Sequence, residues 1–169
     1  MSVAELMEVP FGKTILIVGP PGAGKSTFCQ QTVLQNLTVN RPVIFMTTEY
    51  SSCEADGFLQ KKGLPSSSAG LLSFVDGYNQ TAGLPVSDQQ DIINASSGNL
   101  TSSGIALAKH QRKIGIKGIL LVLASSTSSY LLCGSEVVRL LRLTISRFAG
   151  NGNVETHLLV VTTSFVNDL

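Results

Sequence analysis

A three-layer α/β sandwich around a mainly parallel five-stranded sheet is the fold this sequence predicts, and three observations predict it. Five short apolar runs recur along the chain: Thr14–Val18, Val43–Thr48, Leu71–Asp76, Gly118–Ala124 and His157–Thr163. They are β-branched and nearly continuous in hydrophobicity, as strands covered on both faces must be. The intervals between them are long enough for crossover helices, which parallel neighbours require. With 169 residues, 43% of them apolar and 14% charged, the chain fits one domain with its own core, expected over residues 1–169.

The first run leads directly into Gly19-Pro20-Pro21-Gly22-Ala23-Gly24-Lys25-Ser26-Thr27, which fills every required position of the pattern G-x-x-x-x-G-K-[ST]. Strand, loop and helix follow in the order that a phosphate cradle needs. Glycines let backbone N–H groups converge on the phosphates, and the next helix points its positive end at the same anion. Lys25 adds a point charge, Ser26 supplies the hydroxyl that usually ligates Mg²⁺, and Pro20-Pro21 pre-set φ in the loop. All nine residues from Gly19 to Thr27 are therefore expected at a nucleotide site. The helix that starts in the loop offers Cys29, Val33 and Leu37 on one face and leaves Gln30, Gln31 and Gln35 for solvent.

After the second run, Ser51-Ser52-Cys53-Glu54 has capping-box spacing and opens a helix that stops at Gly63. Between Gly77 and Gly98 the chain turns polar and loop-like, with Pro85 among Ser, Asn and Asp residues, and reads as a surface segment. A third helix is expected from Leu100 to Lys113, closed by Gly115. A fourth spans Ser135 to Phe148, with Val137, Leu141, Thr144 and Phe148 on one face and Gly150-Asn151-Gly152 ending it. The chain stops a few residues beyond the fifth run, so no second domain is expected.

A net charge of +1 gives no broad electrostatic reason to expect nucleic acid or a membrane surface as partner. Cys29, Cys53 and Cys133 lie far apart without C-x-x-C spacing, which suggests neither a zinc site nor a disulfide framework and fits a reducing cytoplasm. No stretch reaches the roughly 18 apolar residues needed to span a bilayer, so a cytoplasmic protein is expected. His110 and His157 lack partners at metal-ligand or catalytic spacing, which favours structural roles for both.

The phosphate loop together with Val43-Ile44-Phe45-Met46-Thr47-Thr48-Glu49, Phe74-Val75-Asp76-Gly77-Tyr78 and Lys117-Gly118-Ile119-Leu120-Leu121-Val122-Leu123 resembles the KaiC-like branch of the RecA superfamily of ATPases. The likeness runs over almost the whole chain. It implies strand order 5-1-4-3-2, ATP and Mg²⁺ at the carboxyl ends of strands one and four, and assembly into homo-oligomeric rings or filaments. Glu49 stands where members place the glutamate that orients or deprotonates the attacking water, at the end of a strand expected to adjoin the phosphate loop. Lys25 and Glu49 are thus the catalytic candidates. Glu54 reads as a solvated or capping residue. Asp76 reaches the site through water or, equally, forms an Asp-Gly turn, and Thr162 and Thr163 stand where polar residues sense the γ-phosphate.

The chain departs from the family pattern in the fourth run. Where members end this strand with the Mg²⁺-anchoring Asp, this sequence has Ala124. Members also continue beyond the fifth strand into further strands and a basic finger, so the resemblance implies a domain truncated at its C-terminus. The expected function is an ATP-binding switch in signalling or regulation, hydrolysing slowly because Ala124 replaces the acid. A binding-only pseudo-ATPase is the alternative, and a small phosphotransferase a third. Nothing in the residues names a signalling partner.

Overall fold

The computed structural model describes residues 14–20, 22–96, 98–114, 118–124 and 157–163. In chain order the elements are β1 (Thr14–Gly19), α1 (Lys25–Thr38), β2 (Val43–Thr47), α2 (Ser52–Lys61), a short 3-10 turn (Ser66–Ser68), β3 (Leu72–Asp76), β4 (Ile92–Asn94), α3 (Leu100–Ile114), β5 (Leu120–Leu123) and β6 (His157–Thr163). The helix expected over Ser135–Phe148 lies outside the described residues.

Among the described residues the strands form a six-stranded sheet in the order β1-β6-β5-β2-β3-β4, and every ladder between them is parallel. The expected fold class stands, while the order differs in detail. Counted in chain order, the expected 5-1-4-3-2 placed the first run between the fifth and fourth and the third between the fourth and second; here β6 lies between β1 and β5, which leaves β1 at an edge of the described sheet, and β2 lies between β5 and β3. If β3 and β4 are set aside as additions at the far edge, β1, β6, β5 and β2 run in the order 1-4-3-2. The sixth strand, β4, lies inside the 77–98 segment expected to be loop. Three residues are too short for a period-two signal, and its one ladder is with β3.

Alternation along the strands makes the three layers. Val43 and Phe45 of β2, Leu72 and Phe74 of β3, and Leu120 and Val122 of β5 face a cluster completed by Cys29, Val33 and Leu37 of α1 and Ala55 and Leu59 of α2. Ile44, Met46, Val75, Ile119, Leu121 and Leu123 point the other way, onto Ala106 and Leu107 of α3. Burial on both faces explains why these strands read as continuous apolar runs rather than alternating ones.

The helix ends follow local chemistry. Ser51 caps α2 in a reciprocal box: its hydroxyl accepts from the Glu54 N–H while the Glu54 carboxylate accepts from the Ser51 N–H. Glu54 therefore has the capping role. At the other end, Gly63 N–H reaches the Gln60 carbonyl and Leu64 N–H the Leu59 carbonyl, the paired bonds of a Schellman closure. α1 closes the same way on Asn40, which takes a left-handed φ of 57° while its N–H and that of Arg41 return to Leu37 and Asn36. Arg41 then ties this corner to the start of β5, donating through Nε to the Gly118 carbonyl at 2.9 Å and through a terminal nitrogen to Asn36 Oδ1 at 2.9 Å.

β4 is an edge strand among the described residues, and its outer side is occupied by its own approach loop. Gln89 and Ile92 exchange backbone bonds, and Asp88 accepts from the Asn94 N–H at 2.9 Å as a backbone carbonyl would. That bond, ahead of the smaller contribution of the Asn94 amide, holds the Asp88 carboxyl below the usual carboxylate range. An edge satisfied in this way is a poor template for pairing with another chain.

Candidate nucleotide site

At the carboxyl end of β1 the chain leaves the sheet and enters α1 through residues 20–24, of which Pro21 lies outside the described residues. Gly22 and Gly24 both take left-handed backbone conformations, at φ 78° and 81°, which a residue with a Cβ adopts at a cost. Ala23 N–H bonds back to the Pro20 carbonyl at 3.2 Å, which closes the turn. Gly24 is the N-cap of α1 and has no side chain to satisfy the first-turn amides. Those amides and the left-handed loop together form a concave set of N–H donors with the helix dipole behind them.

Lys25 is the first residue of α1, and its ammonium folds back over the loop to donate to the carbonyls of Gly19 and Pro20, each at 2.7 Å. An ammonium carries three N–H donors, so this posture fixes the charge over the cradle and leaves a donor for an anion. Ser26 and Thr27 follow in the first turn, and both are exposed. The donor set is cationic and amide-rich with no acid in the first turn of α1, which fits a polyphosphate. For Mg²⁺ the fit is thinner. Ser26 offers its hydroxyl, but the described residues contain no group of three or more His, Cys, Asp or Glu that could hold a metal ion.

The register fixes what stands beside the loop. Val18 and Gly19 pair with Thr162 and Thr163 of β6, so these threonines occupy the sheet position next to the loop's first residue. Leu123 of β5 pairs with Val160 of β6 and with Met46 of β2, and the Ala124 N–H donates to the Met46 carbonyl at 3.0 Å. Ala124 thus ends β5 at the level of the β2 carboxyl end. It is 5% exposed and belongs to the cluster containing Cys29 and Val33 of α1.

Glu49 lies in the exposed turn between β2 and α2. The expectation that its strand adjoins the loop is corrected by the sheet order, because β6 and β5 stand between β1 and β2. The link runs through the helix layer instead. Tyr50, the next residue, packs against the cluster that holds Cys29, in the second turn of α1. Its ring also meets Phe58 of α2 edge-on, with centroids 5.6 Å apart. Burial, then the nearby Cys29 and Glu49, push the Tyr50 phenol up to about 12, and burial alone pushes the Cys29 thiol up to about 12. Cys29 is therefore a neutral packing residue, not a nucleophile.

Asp76 is the residue whose role the sequence left open. It is fully buried, and both carboxylate oxygens are occupied. One accepts from Ser52 N–H at 2.6 Å and the Asn79 amide at 3.0 Å, the other from Tyr78 N–H at 3.0 Å and Asn79 N–H at 2.9 Å. His110 has the structural role expected of it. It is buried in α3 with Nε2 2.9 Å from the Phe74 carbonyl, and desolvation holds its pKa below the ordinary value. His157 begins β6, at the opposite end of the sheet from the loop. A groove of about 590 Å³ between α2 and β4, lined in part by Asp56, Gln60, Gln89 and Asp91, sits on the far edge. Five strand steps separate that edge from β1, roughly 24 Å at the usual spacing, so the groove is not the phosphate site.

A family model described as "ATPase: KaiC" matches residues 7–150. The chain belongs to the KaiC family of ATPases. Among solved structures it is similar to a KaiC-like protein, PH0186, from the hyperthermophilic archaeon Pyrococcus horikoshii OT3, at 23% identity with a TM-score of 0.65. That match covers 90% of this chain and 64% of the archaeal one, and at this identity it shows the fold. No curated protein matches. In this KaiC-family chain the Gly19–Thr27 loop opens α1 at the carboxyl end of β1, and no described helix is long and apolar enough to cross a membrane.

Proposed function

We propose that this KaiC-family module binds ATP at Gly19–Thr27 and hydrolyses it slowly, as a nucleotide-dependent switch in the cytoplasm. The observation that carries the reading is the arrangement of Lys25 over a left-handed, uncapped loop at the head of α1, a cradle built to hold a triphosphate before any chemistry begins. Ring or filament assembly, which the resemblance implies, would let such a switch act through its neighbours.

In this reading the loop amides and Lys25 bind the β- and γ-phosphates and neutralise charge as it develops on the bond to the leaving ADP. Glu49 receives the proton of the water whose oxygen attacks the γ-phosphorus; the bond from that phosphorus to the β–γ bridging oxygen breaks, giving ADP and inorganic phosphate. Mg²⁺, when held by Ser26, the phosphates and water, supplies Lewis-acid stabilisation of the transferring group. Ala124 offers no carboxylate to anchor it, which accounts for slow turnover in this scheme. The same alanine favours one alternative, a module that binds ATP without splitting it.

Turnover separates the two. ATP binding followed by calorimetry, and phosphate release followed over long incubation with Mg²⁺, are expected to show tight binding with slow hydrolysis. Glu49→Gln keeps the side-chain shape and is expected to retain ATP affinity while lowering turnover by about a hundredfold or more, in the range that general-base catalysis supplies. Recovery of intact ATP from the parent protein would establish the binding-only module, and equal turnover in the two proteins would remove Glu49 from its role.

A further inference from the structure

Glu49 is one residue of a turn that is pinned on every side by other parts of the chain. Thr47 Oγ1 donates to the Tyr50 carbonyl at 2.7 Å, which closes the turn around Thr48 and Glu49. The Thr47 carbonyl accepts from Gly77 N–H at 2.8 Å, one residue beyond the β3 ladder. The turn ends at Ser52, whose N–H is held by Asp76 at 2.6 Å across 24 residues of sequence. Asp76 itself cannot shift, because Tyr78 and Asn79 surround it with three further donors and it is 0% exposed. A fully buried carboxylate that accepts four N–H bonds is a rigid post.

We infer that Asp76 is a positioning residue for Glu49: it fixes the start of α2 against the end of β3, and so sets where the β2–α2 turn carries the Glu49 carboxylate. The inference rests on the reading of Glu49 as the acceptor of the water's proton. Placement matters because a displacement of about 1 Å at a catalytic group costs up to about a hundredfold in rate. Binding at Lys25 and the loop amides does not pass through Asp76, so affinity and rate separate.

Asp76→Asn sets an amide N–H₂ against one pair of these donors inside the core and endangers the fold. Ser52→Pro is the cleaner variant. Ser52 is the first residue of α2, where proline is favoured and the N–H has no intrahelical acceptor, and Ser51 already has the extended backbone, φ −68° and ψ 158°, that a residue before proline takes. The substitution deletes the donor to Asp76, sets the proline Cδ against the Asp76 carboxylate so that the start of α2 is pushed away from it, and leaves the helix able to start. In the full chain, kcat for ATP hydrolysis is expected to fall by about tenfold or more, with ATP affinity by calorimetry close to the parent's and the thermal midpoint lowered by the loss of one buried hydrogen bond. Hydrogen exchange is expected to quicken in the 47–53 segment and nowhere else. An unchanged kcat in Ser52→Pro, beside a parent whose turnover depends on Glu49, would overturn the inference and leave the Glu49 reading standing. Parallel loss of affinity, stability and kcat would reduce Asp76 to a structural prop. Equal turnover in the parent and Glu49→Gln would remove both readings together.

Discussion

The phosphate loop and the β3–β4 edge answer different physical problems with opposite means. In the loop, the interactions that matter reach only across it: Lys25 bonds to carbonyls 5 and 6 residues earlier, two glycines turn left-handed, and the surface is open to solvent. At the edge, Asp76 holds an amide 24 residues away, His110 a carbonyl 36 residues away, and both side chains are buried. An open cradle must leave donors unsatisfied so that a ligand can take them. At the edge the Asp76 carboxylate leaves no oxygen without a donor, because an orphaned group there costs about 1–3 kcal/mol, although the buried Nδ1 of His110 has no partner among the described residues. The proposed binding and the stability are accordingly lodged in different parts of the sheet.

The comparison is sharpest if a change in one region leaves the other untouched. Lys25→Ala has the largest expected effect: loss of a charge-assisted contact to phosphate, about 1.5–3 kcal/mol, lowers ATP affinity by roughly 10- to 150-fold. The urea midpoint without nucleotide stays where it was. Calorimetric titration beside urea unfolding checks both halves, and a loss of stability equal to the loss of binding would erase the distinction.

His110→Ala is the reciprocal experiment. It removes the bond to the Phe74 carbonyl and opens space between α3 and the sheet, so stability falls by about 2 kcal/mol while ATP affinity is retained. It also has a pH signature. The folded pKa of His110 lies below the ordinary 6.5, chiefly because burial disfavours its charged form. Above pH 6.5 the imidazole is neutral in both states and its contribution is intact. As pH falls below that value the unfolded chain takes up the proton first, so stability declines until the folded pKa is passed. Urea midpoints between pH 8 and 5 should show this decline in the parent and a shallower one in His110→Ala.

The smallest expected effect is at the corner that closes α1, which belongs to neither region. Asn40→Ala forces a Cβ-bearing residue without a local hydrogen-bonding side chain into the left-handed conformation at φ 57°, at a cost of about 1 kcal/mol. Asn40→Gly should be near neutral. Thermal unfolding of the pair distinguishes a backbone effect from a lost side-chain contact.

What could be read without the structure was whatever short-range chemistry encodes. The loop from Gly19 to Thr27, the capping box at Ser51 and Glu54, the stop at Gly63, the α1 face of Cys29, Val33 and Leu37, and the helix beginning at Leu100 all depend on residues within about two helical turns of one another. The buried strands were legible too, since burial on both faces writes itself as an unbroken apolar run. Asn40 was missed although asparagine is a recognised helix stop, because it lacked the flanking glycine signal that marked Gly63.

The tertiary structure decided which strands are neighbours, and hence which residues share the site. Parallel strands are joined by long crossovers, and their local sequence carries no record of the partner. β6, expected beside β1, came to lie between β1 and β5, with Thr162 and Thr163 beside Gly19, while β2 took the place between β5 and β3 and meets α1 through Tyr50. The same reason hid β4, three residues whose ladder is supplied by β3. Asp76 shows the limit most plainly. An Asp before Gly at the end of a strand reads alike as a turn or a water-linked ligand; its bonds from the Tyr78 and Asn79 amides bear out the turn, while the bond from Ser52, 24 residues away in the chain, has no local signal.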